Sequence, residues 1–257
     1  MDLGISGRTA VVCASTSGLG EATARALAAE GVRTVVSGRR GATAQAIAAE
    51  LPEAVGVEVD LTATDGPGRL VDAAVAAFGP VDILVLNSGG PPPSVAAEIS
   101  DEEVLSAVNT LVLAQRRLVS LTLPGMRERA WGRVLAIGSS GVVAPIAGLA
   151  LSNVGRAALG GYLKTLSAEV AADGVTVNML LPGRIATART DAVDRSIAER
   201  EGVDVADVAA RGAASVPVGR YGRPDEFGAV AAFLCSEAAS YVTGTATRCD
   251  GGAVPSL

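Results

Sequence analysis

The sequence contains no histidine and only one lysine, Lys164, among its 257 residues. Aromatic residues make up 3% of the chain, and three of them are tyrosines, Tyr162, Tyr221 and Tyr241. Histidine, lysine and tyrosine are the side chains most often used, with carboxylates, for proton transfer in enzymes. Candidates for a general acid or base are therefore scarce.

Cysteine is also rare, with Cys13, Cys235 and Cys249 widely separated along the chain. An odd number at this spacing fits neither a disulfide framework nor the paired ligands of a zinc site. We expect three reduced, structural cysteines and no metal site.

Long apolar runs are missing, although 49% of the residues are hydrophobic. No run reaches the ~18 residues that a membrane span needs, so we expect no membrane association. The first eight residues have neither a basic nor an apolar region typical of a secretory signal, which predicts a cytoplasmic location. A net charge of −6 argues against nucleic acid as a partner.

Valine-rich segments of strand length alternate with alanine-rich segments at helical spacing along the whole chain. This pattern predicts one α/β domain over residues 1–257, a doubly wound parallel sheet of about seven strands with helices on both faces. The predicted strands are Thr9–Ala14, Arg33–Ser37, Ala54–Val59, Ile83–Asn87, Gly132–Gly138, Val175–Leu180 and Thr245–Cys249. Predicted helices include Gly18–Glu30, Asp101–Leu123, Leu151–Ala172 and Pro224–Ser236.

A charged, helix-prone insert occupies residues 188–218, after the Pro-Gly pair at 182–183. An insert beyond the carboxyl end of a strand in this fold is a candidate substrate lid. A solvated pair of helices is the alternative interpretation.

The first predicted strand runs into Ser15-Thr16-Ser17-Gly18-Leu19-Gly20 and then into a helix. Glycines at 18 and 20 allow a tight turn and let a helix N-terminus approach a pyrophosphate. Strand-to-helix turns without a ligand also use glycine, so the turn alone does not establish nucleotide binding.

The turn resembles the Thr-Gly-x-x-x-Gly-x-Gly turn of the short-chain dehydrogenase/reductase family, with Cys13 and Ala14 in place of the Thr and the first Gly. Three further segments resemble the family's Asn-Asn-Ala-Gly, Asn-x-x-x-Pro-Gly and Asp-Gly-Gly motifs, in the same order: Leu86–Gly89, Asn178–Gly183 and Asp250–Gly252. The resemblance covers nearly the whole chain. It implies a Rossmann-type fold and an oxidoreductase that uses a nicotinamide dinucleotide on a carbonyl/alcohol pair.

Matching the motifs residue by residue also implies the cofactor contacts. They are Ser15, Ser17, Gly18, Leu19, Gly20, Asp60, Leu61, Asn87, Gly89, Pro182, Gly183, Ile185 and Thr187. Asp60 could instead be the N-cap of the next helix, and Gly89 could simply ease a turn.

The choice of dinucleotide depends on the end of the second strand, where an acidic residue would bind the ribose hydroxyls and repel a 2′-phosphate. Gly38 stands there, followed by Arg39 and Arg40. A guanidinium without a neighbouring acid favours NADP(H) over NAD(H), with Arg39 as the phosphate contact. The alternative is a solvated arginine pair.

The resemblance further implies a catalytic tetrad of Asn, Ser, Tyr and Lys. Asn109 and Ser139 match the first two, although Ser140 competes with Ser139, and Ser139 could be a turn or cap residue. Ser152 stands at the Tyr position and Arg156 at the Lys position. Their i, i+4 spacing keeps both on one helical face.

Tyr162 lies ten residues beyond Ser152, roughly 15 Å along a helix, and Lys164 is further still, so neither replaces the missing pair. Ser152 and Arg156 can stabilise an oxyanion, but serine is a poor acid and arginine keeps its proton. Loss of the general acid costs ~10²–10⁴-fold in rate unless water or substrate supplies the proton.

Three hypotheses follow. The favoured one is an NADP(H)-dependent oxidoreductase with a modified tetrad. The second is a non-redox enzyme on the same scaffold: the related halohydrin dehalogenases also carry Arg at the Lys position, but they keep the Tyr and lose the dinucleotide turn, the reverse of this chain. The third is a cofactor-binding protein with little or no catalysis.

The substrate is expected to be mainly apolar, because the loop at 142–151, Ile197 from the insert and the prolines at 91–93 would line the pocket. An acyl group on a carrier protein, contacted by Arg127 and Arg129, stays open. The resemblance also implies a homotetramer or homodimer, with Ala157, Ala158, Gly160 and Gly161 allowing close helix packing. Packing within the subunit is the alternative.

Overall fold

The computed structural model describes residues 2–256. Its strands are, in chain order, β1 (Thr9–Val12), β2 (Arg33–Gly38), β3 (Ala54–Glu58), β4 (Ile83–Leu86), β5 (Gly132–Ile137), β6 (Val175–Pro182) and β7 (Ala246–Cys249). Its α-helices are α1 (Gly18–Ala29), α2 (Gly41–Ala49), α3 (Gly66–Phe78), α4 (Asp101–Val108), α5 (Ala114–Glu128), α6 (Ala150–Val170), α7 (Ala188–Glu201), α8 (Val205–Ala214) and α9 (Pro224–Leu234).

All seven strands form one parallel sheet in the order β3-β2-β1-β4-β5-β6-β7. The predicted doubly wound α/β fold is therefore confirmed, and each predicted strand is present to within two residues at either end. The strand order reverses between β1 and β4. In such sheets the crevice at the carboxyl ends beside this switch point is where ligands bind.

Alternate residues of the strands pack on opposite faces of the sheet. Val11 of β1 belongs to a core with α3, α5 and α6, whereas Val12 belongs to a second core with α1, α2 and α9. Burial on both faces explains why β4 reads Ile-Leu-Val-Leu, without polar alternation.

The helix predicted over Asp101–Leu123 is interrupted and runs further than expected. A π-helical turn, Asn109–Leu113, separates α4 from α5, and α5 continues to Glu128 with Pro124 inside it. A π turn adds one residue to one turn of the helix, which shifts the buried face by one position from α4 to α5. In residues 2–256 no helix is long and apolar enough to cross a membrane.

Candidate active site

A cavity of about 1320 Å³ opens at the carboxyl edge of the sheet, beside the switch point between β1 and β4. Segments that follow each of the first six strands contribute to its walls. The cavity brings together most of the residues that the family resemblance singled out: Ser17, Gly18, Leu19, Arg39, Asp60, Leu61, Asn87, Gly89, Ser139, Ser152, Arg156, Pro182, Gly183, Ile185 and Thr187.

Ser15, expected to contact the cofactor, has its side chain inside the sheet and not in the cavity lining. It is fully buried, and its Oγ donates to the carbonyl of Val12 at 2.7 Å and accepts from the amide of Ser37 at 2.9 Å. Ser15 therefore ties the turn to β2. The direction of its side chain depends on the turn conformation, which the sequence does not give.

Gly20 also lies behind the cavity lining, where it closes the turn. A methyl group at Gly20 would lie 2.5 Å from the carbonyl oxygen of Ala14 and 2.8 Å from Nδ2 of Asn87. The same Asn87 amide donates to the Ala14 carbonyl at 3.2 Å. Ala14 has a φ of 46°, in the left-handed region that L-residues rarely adopt, so this contact holds a strained residue in place.

The N-terminus of α1 faces the cavity through this turn. Gly18 has a φ of 60°, and the N-cap residue Ser17 makes no side-chain capping bond. Amides in the first turn of α1 are thus not satisfied by the cap and can bind an anionic group. Thr187 lies opposite, because a methyl group on Gly18 would be 3.7 Å from its Cγ2.

The two arginines after β2 have different environments. Arg40 donates from Nη2 to the carbonyl of Thr16 at 2.8 Å and to its hydroxyl at 3.0 Å, so it braces the glycine turn. Arg39 is exposed at the cavity wall and has no side-chain hydrogen bond or ion pair within residues 2–256. A phosphate placed there would meet Arg39 without first displacing another partner.

Asp60 is not the N-cap of α3, since that position is Asp65. Its Oδ1 accepts from the hydroxyl and the amide of Thr62, at 2.7 and 2.9 Å. These hydrogen bonds, and secondarily the charge of Arg39, lower the pKa of Asp60. An ionised, preoriented carboxylate therefore stands at the cavity edge beside Arg39.

Ser139 and Ser152 present hydroxyls to the cavity. Ser139 Oγ accepts from the amide of Gly141 at 3.1 Å and caps the short 3₁₀ helix Ser140–Val142, so it is a cap residue and a lining residue at once. Its own proton stays available for donation. Ser152, in the first turn of α6, is buried and its hydroxyl makes no hydrogen bond within the described chain.

Arg156 follows Ser152 by one helical turn and lines the same cavity. Its Nη1 donates to the carbonyl of Ile137 at 2.8 Å. Burial, and secondarily the nearby positive charge of Arg189, lower the pKa of Arg156 to about 10. The guanidinium remains charged near neutral pH.

Asn109 is the one expected tetrad residue outside the cavity lining. It begins the π turn, and its carbonyl accepts the i+5 hydrogen bond from the amide of Ala114. Its neighbours Ser106 and Thr110 line the cavity instead. Single π turns inside helices frequently mark functional sites.

Neither Tyr162 nor Lys164 lines the cavity. Tyr162 packs against the core, and burial raises its pKa. Lys164 Nζ donates to the carbonyl of Gly244 at 3.0 Å, away from the catalytic positions. Both side chains therefore lie outside the cavity that holds Ser152 and Arg156.

The insert at 188–218 forms α7 and α8, and its base is anchored through buried Asp194. Asp194 accepts from the Tyr221 hydroxyl at 2.9 Å and from Arg184 at 3.2 Å. The expectation for Ile197 is not met, because Val193, one turn earlier on α7, is the apolar residue of this helix that lines the cavity. The two residues share one face of α7, so they differ in their position along the helix and not in the direction they face.

Arg189, in the first turn of α7, is the side chain that sequence reasoning missed. Its guanidinium lies against Gly90, so closely that a methyl group there would overlap it. It also lines the cavity and acts electrostatically on Arg156. Only the spacing from Thr187 could have pointed to it, and spacing does not give the direction of an arginine side chain.

Comparison with known proteins identifies relatives over nearly the full chain. The family model described as enoyl-(acyl carrier protein) reductase matches residues 13–254. Dehydrogenase/reductase SDR family member 4 of Oryctolagus cuniculus is 32% identical over 255 residues, 97% of this chain and 94% of that protein. The 3-oxoacyl-(acyl-carrier-protein) reductase of Escherichia coli is 32% identical over 247 residues, 96% and 97% of the two chains.

A solved structure gives the same result for the fold. L-Sorbose reductase from Gluconobacter frateurii, crystallised with NADPH and L-sorbose, superposes with a TM-score of 0.95, at 33% identity and with 100% of both chains covered.

Proposed function

The chain belongs to the short-chain dehydrogenase/reductase family, and from that premise we propose that it is an NADP(H)-dependent oxidoreductase that interconverts a carbonyl and an alcohol with an altered catalytic tetrad. The observation that carries the proposal is a single cavity with unpaired Arg39 at one end and Ser139, Ser152 and Arg156 at the other. Its volume of about 1320 Å³ exceeds the ~300–1,000 Å³ usual for one small-molecule site, which leaves room for a dinucleotide and a substrate.

The residues present fit NADP(H). The uncapped N-terminus of α1, with Gly18 at positive φ, suits a pyrophosphate, and Arg39 suits a 2′-phosphate. Gly38 carries no acid that would repel that phosphate. The relative crystallised with NADPH supports the choice of cofactor.

The same assignment gives the remaining lining residues their proposed roles. Asp60 and Leu61 would border the adenine, Asn87 and Gly89 the adenosine ribose, and Ile185 and Thr187 the nicotinamide carboxamide and pyrophosphate. Each of these lines the cavity, which supports the assignment.

When bound, NADPH would supply a hydride, and so both electrons, to the substrate carbonyl carbon. The chain's own residues would then stabilise the oxygen that becomes an alkoxide. Ser139 and Ser152 can each donate a hydroxyl proton in a hydrogen bond, and Arg156 adds a fixed charge. Since neither Ser152 nor Arg156 readily releases a proton, water reaching the cavity delivers the proton to the oxygen.

Apolar residues support a substrate with a mainly apolar body. Ile146 and Leu149 line the cavity from the loop before α6, Val193 from α7, and Pro91 and Pro92 from the segment after β4. This arrangement also supports the insert at 188–218 as a lid, within a chain that acts as one dinucleotide-binding unit.

We also propose a homodimer or homotetramer. Ala157, Ala158 and Gly161 on α6 are exposed, so they do not pack inside this subunit, and Leu105 and Leu121 add apolar surface on α4 and α5. Sedimentation of the protein at micromolar concentration tests this, and a monomer would contradict it.

The function is tested by titrating NADPH and NADH into the protein and then following NADPH oxidation with a panel of aldehydes, ketones and oxo acids. We expect NADPH to bind more tightly than NADH and at least one carbonyl to be reduced. Tight NADPH binding without turnover across the panel would overturn the proposed reaction and favour a cofactor-binding protein.

A further inference from the structure

Two guanidinium groups line the cavity that holds the expected catalytic residues. Arg156 reaches it from α6 and Arg189 from α7, and the charge of Arg189 is felt at Arg156. Arg156 is held at Ile137, at the end of β5, while Arg189 lies against Gly90, after the end of β4. Since β4 and β5 are adjacent, both cations stand over neighbouring strand ends.

Neither arginine has an acidic partner within residues 2–256. Three acidic residues line the cavity, Asp60, Glu102 and Glu103. Thr62 engages Asp60, Ser100 engages Glu103 in the capping box of α4, and Glu102 is exposed in the first turn of the same helix. Two like charges facing one partly enclosed space repel each other, and an anion between them would remove that repulsion.

The position of Arg189 is electrostatically unfavourable for the helix that carries it. It lies in the first turn of α7, where the helix dipole favours acidic residues. It is also matched to Gly90, because any side chain there would displace the guanidinium. Arg189 is thus a cation at an unfavourable position of α7, in close contact with Gly90. This arrangement suggests that an anionic ligand outside the helix stabilises it.

Resting on the proposed function, we propose that the substrate carries a carboxylate, bound jointly by Arg156 and Arg189, with its carbonyl beside Ser139 and Ser152 and its apolar body against Ile146, Leu149 and Val193. The enzyme is thereby an oxo-acid reductase. When bound, NADPH would supply a hydride, and with it both electrons, to the oxo carbon; the C=O π electrons would move to the oxygen, which would take one proton from water, and the solvent would replace that proton.

A role for Arg189 toward the cofactor's phosphates is the competing assignment. The groups suited to those phosphates lie elsewhere, at the N-terminus of α1 and at Arg39. Arg189 instead contacts Gly90, four residues after the end of β4, and Arg156 is anchored at Ile137 at the end of the adjacent strand β5. The position of Arg189 therefore favours a contact with the substrate over a contact with the cofactor's phosphates.

The test compares wild type, Arg189→Ala and a control, Arg195→Ala, which removes an exposed arginine of the same helix that does not line the cavity. The reducible probes are 2-oxohexanoate and 3-oxohexanoate with their methyl esters, which keep the shape and lose the charge. Hexanoate, which cannot be reduced, is titrated calorimetrically into each protein saturated with NADP⁺.

We expect wild type to prefer each oxo acid to its ester, and Arg189→Ala to raise KM for the acids by at least about tenfold while changing the esters by less than about threefold. Hexanoate binding should be lost in Arg189→Ala and kept in Arg195→Ala. NADPH affinity should stay within about threefold in both variants.

Esters reduced as well as acids, with no hexanoate binding to wild type, would overturn the carboxylate site and leave the reductase intact. Weaker NADPH binding in Arg189→Ala with hexanoate unaffected would assign Arg189 to the cofactor and also overturn it. If no carbonyl is reduced, the proposed reaction fails, but the hexanoate titration still decides on the anion site because it needs no turnover.

Discussion

Arg156 donates a 2.8 Å hydrogen bond from Nη1 to the carbonyl of Ile137, the last residue of β5. The bond fixes one end of the guanidinium to the sheet, one helical turn after the buried hydroxyl of Ser152. Under the proposed assignment, Arg156 and Ser152, a cation and a weak acid, take the positions of the family's lysine and tyrosine. This pair stabilises negative charge well and delivers protons poorly.

Restoring the acid should therefore restore rate. We expect Ser152→Tyr combined with Arg156→Lys to raise NADPH-dependent reduction of neutral activated ketones by at least about tenfold, given that a positioned general acid contributes ~10² or more. Each single change should do less, because the phenol needs the lysine to lower its pKa. Single-turnover NADPH oxidation at saturating cofactor measures the effect.

Folding of the double variant is checked first, since a phenol in the place of a buried hydroxyl can cost ~1–3 kcal/mol in overpacking. Neutral ketones are used because the lysine would also change the binding of an anion. A folded, NADPH-saturated double variant no faster than wild type would mean that the cavity does not present a carbonyl to the nicotinamide.

We expect substitutions of the two arginines after β2 to weaken cofactor binding in different ways. Arg39→Asp should weaken NADPH binding by ~1.5–3 kcal/mol, the worth of a charge-assisted contact, with added repulsion, and should leave NADH binding nearly unchanged. Arg40→Ala, which removes the brace on Thr16, should weaken both cofactors to a similar extent. Calorimetric titration of both variants with both cofactors gives the comparison, and an equal loss of both cofactors in Arg39→Asp would refute the phosphate assignment.

Two substitutions in the glycine turn should affect the free energy of unfolding differently. Gly20→Ala should lower the free energy of unfolding by ~1–3 kcal/mol, because its methyl group would press on the Ala14 carbonyl and the Asn87 amide. Ala14→Gly should be neutral or stabilising, since relief of ~1–2 kcal/mol of left-handed strain offsets the ~0.5–1 kcal/mol entropic cost of glycine.

Urea denaturation of the two variants measures both effects. Gly68→Ala is the control, because a methyl group at Gly68 on α3 would meet nothing within 4 Å. A Gly20→Ala protein as stable as the control would show that the turn relaxes freely.

The insert should loosen when its buried anchor is removed. Asp194→Ala leaves the Tyr221 hydroxyl and Arg184 without their shared acceptor, which we expect to cost ~1–3 kcal/mol and to expose residues 188–218 to protease. Asp191→Asn, at an exposed position on the same helix, should have little effect. Limited proteolysis followed by mass spectrometry locates the cuts, and a cleavage rate in Asp194→Ala equal to that of wild type would argue against a separately anchored lid.

Particular residues show which features of the fold and of the site could be predicted from the sequence. The sequence of β4, Ile-Leu-Val-Leu, indicates burial on both faces because no polar residue interrupts it, so a parallel sheet could be predicted. Gly18 and the pair at 182–183 lie at the carboxyl ends of strands. Because these ends share one edge of a parallel sheet, the two motifs could be predicted to lie in one site. Local pattern and chain order determined this much.

Only the tertiary structure decided what the long polar side chains do. Arg39 and Arg40 are neighbours of identical chemistry, yet one is engaged by Thr16 and the other is not. The side chain of Ser15 is buried against β2, Asn109 lies in a π turn outside the cavity lining, and Arg189 extends from α7 to Gly90. The reason is physical: an arginine or a serine has several rotamers of similar energy, and the choice among them is made by partners brought close by folding, which lie far away in the sequence.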